Sequence, residues 1–345
     1  LLVKNKKKQT FDKYTQPNFV LMKIIRSFAY VFSLSLMLVG CLPPPSNVKI
    51  ASPHLTLGNP TNAQASLSSP DNYLIIKPQY TLSYNRSKGY ANWVSWELSK
   101  SWLGNIDRQN DFRPDESLPQ SWHKVNPNEY SNSGFDRGHL CPSADRTNST
   151  TNNSSTFLMT NMIPQAPELN REAWAYLEEF CRELVAQKHK LFITAGTYGT
   201  GGEGTKGTAS KLNDVIDVPA RIYKIIVVLP ENATANDINS DTPVIAVDFP
   251  NKNSVVQNTG WIRFVSTVAD IERKTGNDFF ANLPTSVQNS LQNKRFDYRN
   301  TTLNVDTKCR VHNGNSLYIG KSGGCYYLNA KGNKTYVDRE LCDCQ

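Results

Sequence analysis

Four consecutive residues, Asp136-Arg137-Gly138-His139, set an acid, a guanidinium, a glycine and an imidazole side by side. Cleaving a phosphodiester calls for a base near neutral pH to take a proton from water, and histidine is the side chain poised for that. It also calls for fixed positive charge where negative charge builds on phosphorus, and the arginine fork matches phosphate oxygens. Gly138 reads as a position where the backbone approaches the substrate closely. A second cluster lies downstream. Trp174, Leu177, Cys181, Leu184 and Val185 recur at helical spacing and predict a helix from about Arg171 to Lys188. Asn170 would stand at its entrance, while Glu178 and Arg182, four apart, would share a face. Asn170 is eight residues before Glu178, about 80° around the axis, so one helix edge would offer an amide, a carboxylate and a guanidinium.

Each residue also has a blander reading. Asn170 could serve only as a helix cap, using the same carbonyl oxygen that a metal would need. Glu178 and Arg182 could be an exposed pair contributing about 0.2–0.5 kcal/mol. Asp136 reads as orienting Arg137 or the turn, with a solvated loop acid as its rival. Cys141 is either a packed thiol or half of a disulfide.

Several separated motifs accompany these residues in order: Asn72-Tyr73-Leu74, Leu82-Ser83-Tyr84-Asn85, Trp102-Leu103-Gly104-Asn105, Asp111-Phe112-Arg113-Pro114-Asp115 and Thr160-Asn161-Met162-Ile163-Pro164-Gln165. Together with the Asp136–His139 run they resemble the non-specific DNA/RNA endonucleases of the ββα-metal (His-Me finger) superfamily, most closely its cyanobacterial members. The similarity covers about Asn72 to Asn293. It implies an α+β fold with a mainly antiparallel central sheet flanked by helices. It makes His139 the general base and Asn170 the sole protein ligand of one Mg2+, with Mn2+ as a substitute. Arg108 matches a phosphate-contacting arginine, and Arg137 and Arg182 match arginines that stabilise the transition state or support the site. Glu178 matches a carboxylate that holds metal-bound water or its neighbours. DNA and RNA, single- or double-stranded, are the implied substrates, 5′-phosphates the implied products, and a protein inhibitor an implied partner.

Residue chemistry agrees with a single ion. Two-metal nucleases hold their ions about 3.5–4 Å apart with clustered carboxylates, and no such cluster accompanies His139. Mg2+ keeps several waters and commonly uses one or two protein oxygens. An ordinary imidazole predicts activity falling below about pH 6.5. The rival function is an exported nucleic-acid- or envelope-binding lipoprotein without catalysis; intact Arg137, His139, Asn170 and Glu178 argue against it. Hydrolysis of other phosphodiesters stays open.

The elements that must position these groups read as one domain over residues 72–300. Strands are predicted near Tyr73–Pro78, Tyr80–Tyr84, Trp93–Glu97, Phe157–Asn161, Leu191–Gly196, Arg221–Leu229 and Val244–Phe249. Helices are predicted over Val268–Lys274, capped by Ser266 or Thr267, and over Pro284–Lys294. Residues 199–207, rich in glycine but lacking the P-loop ending, read as a mobile surface loop.

The net charge of +8 misleads. Residues 1–40 carry seven Lys/Arg against Asp12, so +2 remains from Cys41 onward, all of it in residues 301–345. Bulk charge is therefore weak support for nucleic-acid binding. Residues 1–40 read as an upstream extension followed by a signal peptide that starts at Met22, with an apolar core from Phe28 to Leu38. Leu38-Val39-Gly40-Cys41 resembles a lipobox, implying lipidation of Cys41 and anchorage on the bacterial envelope; cleavage further along, and secretion, is the rival. Residues 41–71 read as a Pro/Ser-rich tether. Residues 301–345 read as a small β-type module with four cysteines, stapled because so short a segment buries too little alone. It resembles Gly-Gly-x-Tyr-Tyr modules of secreted nucleases and other proteins, with substrate retention and cell-wall attachment both open.

Overall fold

The computed structural model describes residues 52–342. Cys41, the signal segment and Cys344 lie outside them. The described residues form one compact unit. Its frame is a seven-stranded sheet running Tyr73–Ile76, Thr81–Asn85, Tyr90–Leu98, His189–Tyr198, Arg221–Pro230, Val244–Pro250 and Val265–Ser266, with every neighbouring pair antiparallel. The fold is α+β, with the sheet predicted from the Val- and Ile-rich runs. Strand Arg221–Pro230 shows why those runs are almost continuously apolar. Ile222, Ile226 and Val228 enter the core beneath the long helix Ala173–Ala186, while Tyr223, Ile225, Val227 and Leu229 enter a second core. Helices Val268–Thr275 and Thr285–Asn293 cover that second core. Thr267 caps the former, accepting from Asp270 N–H, and Gly276 closes it at φ 72°.

Four local expectations change. The single helix from Arg171 is two: Pro167–Arg171 and Ala173–Ala186, separated by Glu172 at φ −116°, ψ −100°. Pro167 starts the first, and the Glu172 carboxylate, which would otherwise sit in a helix interior, accepts from the backbone N–H of Asn258. Asn170 is therefore in the last turn of a short helix, not an N-cap, and the 80° relation to Glu178 does not hold. The stretch Phe157–Asn161 is not a strand. Met159–Asn161 is a 3₁₀ turn, and the strand is Met162–Gln165, which pairs antiparallel with Asp136–His139. Asn161 ties that ribbon shut, accepting from Cys141 N–H at 2.9 Å and donating to the carbonyls of Cys141 and Thr156 at 2.8 Å each.

Residues 199–207 fold rather than float. Gly202–Gly204 and Gly207–Ala209 form a hairpin whose Thr205 N–H donates to Gly134 O at 2.9 Å, bracing the approach to Asp136. Residues 52–71 pack likewise: His54 is buried with its Nε2 2.8 Å from Pro78 O, and Gln64 bridges Tyr73. Polar, proline-rich composition signals a tether only where no apolar side chain finds a seat, and here Ala63 and His54 do.

Gly138 also has a different reason. A Cβ there would lie 2.1 Å from Gln165 Oε1 and 2.5 Å from Gln165 Cβ, so the bare backbone accommodates the neighbouring strand rather than substrate. Gly138→Ala is expected to destabilise the chain by about 1–3 kcal/mol, read as a lower denaturant midpoint. An unchanged midpoint would mean that Gln165 swings clear.

The C-terminal residues form a four-stranded antiparallel sheet, Thr307–His312, Asn315–Ile319, Cys325–Leu328 and Lys334–Val337. A Cys325–Cys342 disulfide staples it and Cys309 is also disulfide-bonded. The module is built onto the rest: Trp261 Nε1 donates to Thr307 Oγ1 at 2.8 Å, and the single Tyr298 O–H lies within hydrogen-bond reach of the carbonyls of Val305 and Ile319, at 2.7 and 2.9 Å. Cys141 and Cys181 are buried free thiols, each pushed up to about 12 by burial.

Candidate active site

His139 ends its strand with only 7% of its surface exposed. Phe157 meets its ring edge-on at 4.9 Å and Phe112 lies at 5.6 Å. Each phenylalanine carries a guanidinium on its face: Arg108 over Phe157 at 4.8 Å, Arg137 over Phe112 at 4.2 Å. Arg108 is steadied by Ser143 Oγ at 2.8 Å and Asn110 Oδ1 at 2.7 Å. Arg137 is exposed and makes no hydrogen bond or ion pair among the described residues, so its fork is free for an anion. The structure thus brings Arg108, Arg137 and His139 together.

His139 Nε2 is buried without a hydrogen-bond partner among the described residues. Burial first, then Arg108 and Arg137, pull the ring's pKa down to about 3. The imidazole is therefore neutral across the ordinary pH range, which corrects the acid limb expected near pH 6.5. The sign follows from linkage: between about pH 6.5 and 3 the unfolded chain takes up a proton that the folded ring refuses, so acidification lowers stability in that window. kcat/KM is expected to hold well below pH 6.5, whereas the limb in kcat should lie higher, because bound phosphate offsets both arginines. A kcat/KM profile breaking at pH 6.5 would show that the ring is not desolvated.

Asp136, at the other end of the same strand, orients neither Arg137 nor the turn. Its carboxylate accepts from Asn170 Nδ2 at 2.9 Å and from Arg171 Nε and Nη2 at 3.0 and 2.8 Å. A carboxylate can only accept, so it fixes which end of the Asn170 amide it binds and turns the carbonyl oxygen away. That oxygen is a hard, neutral donor of the kind Mg2+ accepts. Among the described residues no three His, Cys, Asp or Glu side chains converge to cage an ion. The donor set fits an ion that keeps most of its water.

Glu178 and Arg182 do not form the pair their spacing suggested; each has a separate partner. Glu178 lies 3.4 Å from Lys224 Nζ, and Arg182 Nη1 is 3.1 Å from Asp145 Oδ1. Burial raises the Glu178 pKa against the pull of Lys224 and Arg182. Burial opposes the charge on Arg182, but Asp145 and Glu178 outweigh it and raise its pKa. Lys224, 1% exposed, sits 3.8 Å over the Trp174 ring, and Asp145 also accepts from Trp96 Nε1 at 3.0 Å. Arg108 feels the Glu178 charge, which links this network to the phenylalanine pocket.

The sequence assigned no part in the site to Lys224, Asp145, Arg171, Phe112 or Phe157. Lys224 did leave a signal: one lysine inside Ile-Tyr-Lys-Ile-Ile must be buried, and a buried cation needs a partner.

The DNA/RNA non-specific endonuclease family matches residues 57–286. A nuclease of Nostoc sp. (strain PCC 7120) is 46% identical over 272 residues, which cover 76% of this chain and 96% of that protein. The chain belongs to the DNA/RNA non-specific endonuclease family. Within that family's reach, human endonuclease G, mitochondrial, is 31% identical over 215 residues, 60% of this chain and 69% of that protein. The mitochondrial nuclease of Saccharomyces cerevisiae is 30% identical over 226 residues, 62% and 68% of the two chains. Among solved structures, the EndoG/EndoGI complex matches with a TM-score of 0.54 at 24% identity, covering 67% of this chain and 91% of that one. That likeness concerns the fold.

Proposed function

We propose that this chain is an exported, Mg2+-dependent endonuclease that hydrolyses DNA and RNA phosphodiesters with His139 as general base and leaves 5′-phosphates. The carrying observation is the neutral, buried His139 between two phenylalanines, each topped by an arginine. Arg108 and Arg137 hold phosphate oxygens and favour the charge that builds on them. His139, uncharged and oriented by packing, takes the proton of the attacking water. Asn170, its amide set by Asp136, is the residue that would hold Mg2+ or Mn2+. When bound, the ion supplies Lewis-acid stabilisation at the leaving oxygen. Glu178, held by Lys224, orders water beside it, and Arg182, held by Asp145, adds positive charge. Export, and lipid anchorage through Cys41, rest on the leader; the Cys325–Cys342 disulfide, of the kind that persists in an oxidising compartment, supports export alone.

Incubating the purified chain with plasmid and with RNA, with and without EDTA, tests the reading. Both polymers should be cut only when divalent metal is present, and the fragments should ligate without prior phosphorylation. Cutting that survives EDTA removes the metal. Absence of cutting in Mg2+ returns the chain to the non-catalytic binding alternative.

A further inference from the structure

From the junction of the C-terminal sheet with the preceding domain onto the sheet itself, three clefts of about 580, 530 and 540 Å³ follow one another with shared walls. The first and second share Arg299, Ile319 and Cys342 as walls; the second and third share Lys321, Ser322 and Arg339. Arg263 and Arg295 also line the first, and Lys334 lines the third. The side chains of Arg263, Arg295, Arg299, Lys321 and Arg339 make no hydrogen bond or ion pair among the described residues, and all five residues are exposed. The acids along this path are few. Asp306 is already engaged by Lys334 Nζ at 2.6 Å and Tyr326 OH at 2.7 Å, which leaves Asp297 and Glu340 against five unpaired bases.

Like charges gathered in one concave path repel each other, and Asp297 and Glu340 offset them only in part. A polyanion would offset the rest. The groove draws Arg263, Arg295 and Arg299 from the preceding domain and Lys321 and Arg339 from the C-terminal sheet, so it concentrates basic side chains in a chain that is otherwise near neutral after residue 40. Tyr336, 67% exposed, lines the third cleft beside Arg339 and presents a ring on which a base can stack. The face is also distinct from the catalytic pocket. The module packs on the side of the long helix that carries Tyr176, Glu179 and Glu183, whereas Glu178 and Arg182 engage Lys224 and Asp145.

We infer that this groove is a second nucleic-acid contact, which holds the phosphate backbone of a substrate strand away from the scissile bond and so retains the polymer between cuts. The inference rests on the nuclease reading for the identity of the polymer. A polyanionic or neutral wall polymer is the competing occupant; the tyrosine among arginines favours nucleic acid.

The test uses the full chain carrying Arg295→Glu, Arg299→Glu and Arg339→Glu together, with the corresponding triple Gln variant as a milder second form. Binding of a labelled single-stranded oligonucleotide in EDTA, followed against salt, should weaken by about tenfold or more for the Glu form. Its log–log salt slope should fall by about 2, the loss of three single-strand phosphate contacts. Turnover of bis(4-nitrophenyl) phosphate in Mg2+, a substrate too small to reach the groove, should match the parent. Unchanged oligonucleotide affinity and slope in either variant overturns the inference, and does so in favour of envelope attachment if the same variant no longer sediments with cell walls. Should the Glu form lose small-substrate turnover through misfolding, the Gln form decides. A parent chain that hydrolyses neither substrate would instead strike at the proposed function.

Discussion

His139→Ala is expected to lower kcat for plasmid nicking by about 10²–10⁴-fold, the range that a positioned general base contributes, while KM stays within a few-fold of the parent. The split follows from the geometry. Arg108 and Arg137 rest on Phe157 and Phe112 rather than on the imidazole, so removing the ring leaves both guanidiniums seated. The imidazole is neutral, so its loss changes no charge that the phosphate feels. The variant should still fold, because the ring contributes van der Waals contact but also an unsatisfied Nε2 that the alanine form no longer buries. Added imidazole should restore part of the rate by entering the vacated space. Initial rates at saturating Mg2+, with affinity measured separately in EDTA, provide the check. Nicking within a few-fold of the parent would take the base away from His139.

The second large effect concerns the metal. Asn170→Ala should raise the Mg2+ concentration needed for half-maximal activity by well over tenfold, because under the proposed function it deletes the amide oxygen that would hold the ion. Asp136→Ala should act in the same direction through the amide. Without its acceptor, the Asn170 side chain can turn its NH2 end toward the ion, and losses of this kind typically cost 10–100-fold in metal affinity. The two substitutions together should cost little more than Asn170→Ala alone, since Asp136 works through Asn170. Arg171 shares the same carboxylate at 3.0 and 2.8 Å, so Arg171→Ala frees Asp136 to move but leaves its hydrogen bond with Asn170 intact. It should shift the requirement least. A Mg2+ titration of Asn170→Ala that overlays the parent would leave Asn170 a structural residue of a short helix.

Much of the candidate site was legible in the chain before folding. The Asp136–His139 run and the residues Asn170, Glu178 and Arg182 announce themselves by type, and the stripe from Trp174 to Val185 is buried as its spacing required. What the spacing could not supply was partners. Glu178 and Arg182 look like a pair along one helix, yet each prefers an opposite charge that burial has stripped of water, and those charges sit on Lys224 and Asp145. Desolvated partners outweigh a solvated neighbour worth a few tenths of a kcal/mol.

Residue order by itself determined which side chains can do chemistry, which faces are apolar and hence which elements form, since periodicity is a local property of the backbone. Only the tertiary structure decided that the helix breaks at Glu172, that Asp136 serves Asn170, and that Arg108 joins His139 across 31 positions through a phenylalanine. Those outcomes depend on groups far apart in the chain competing for the same buried space. That competition has no period for a sequence to display.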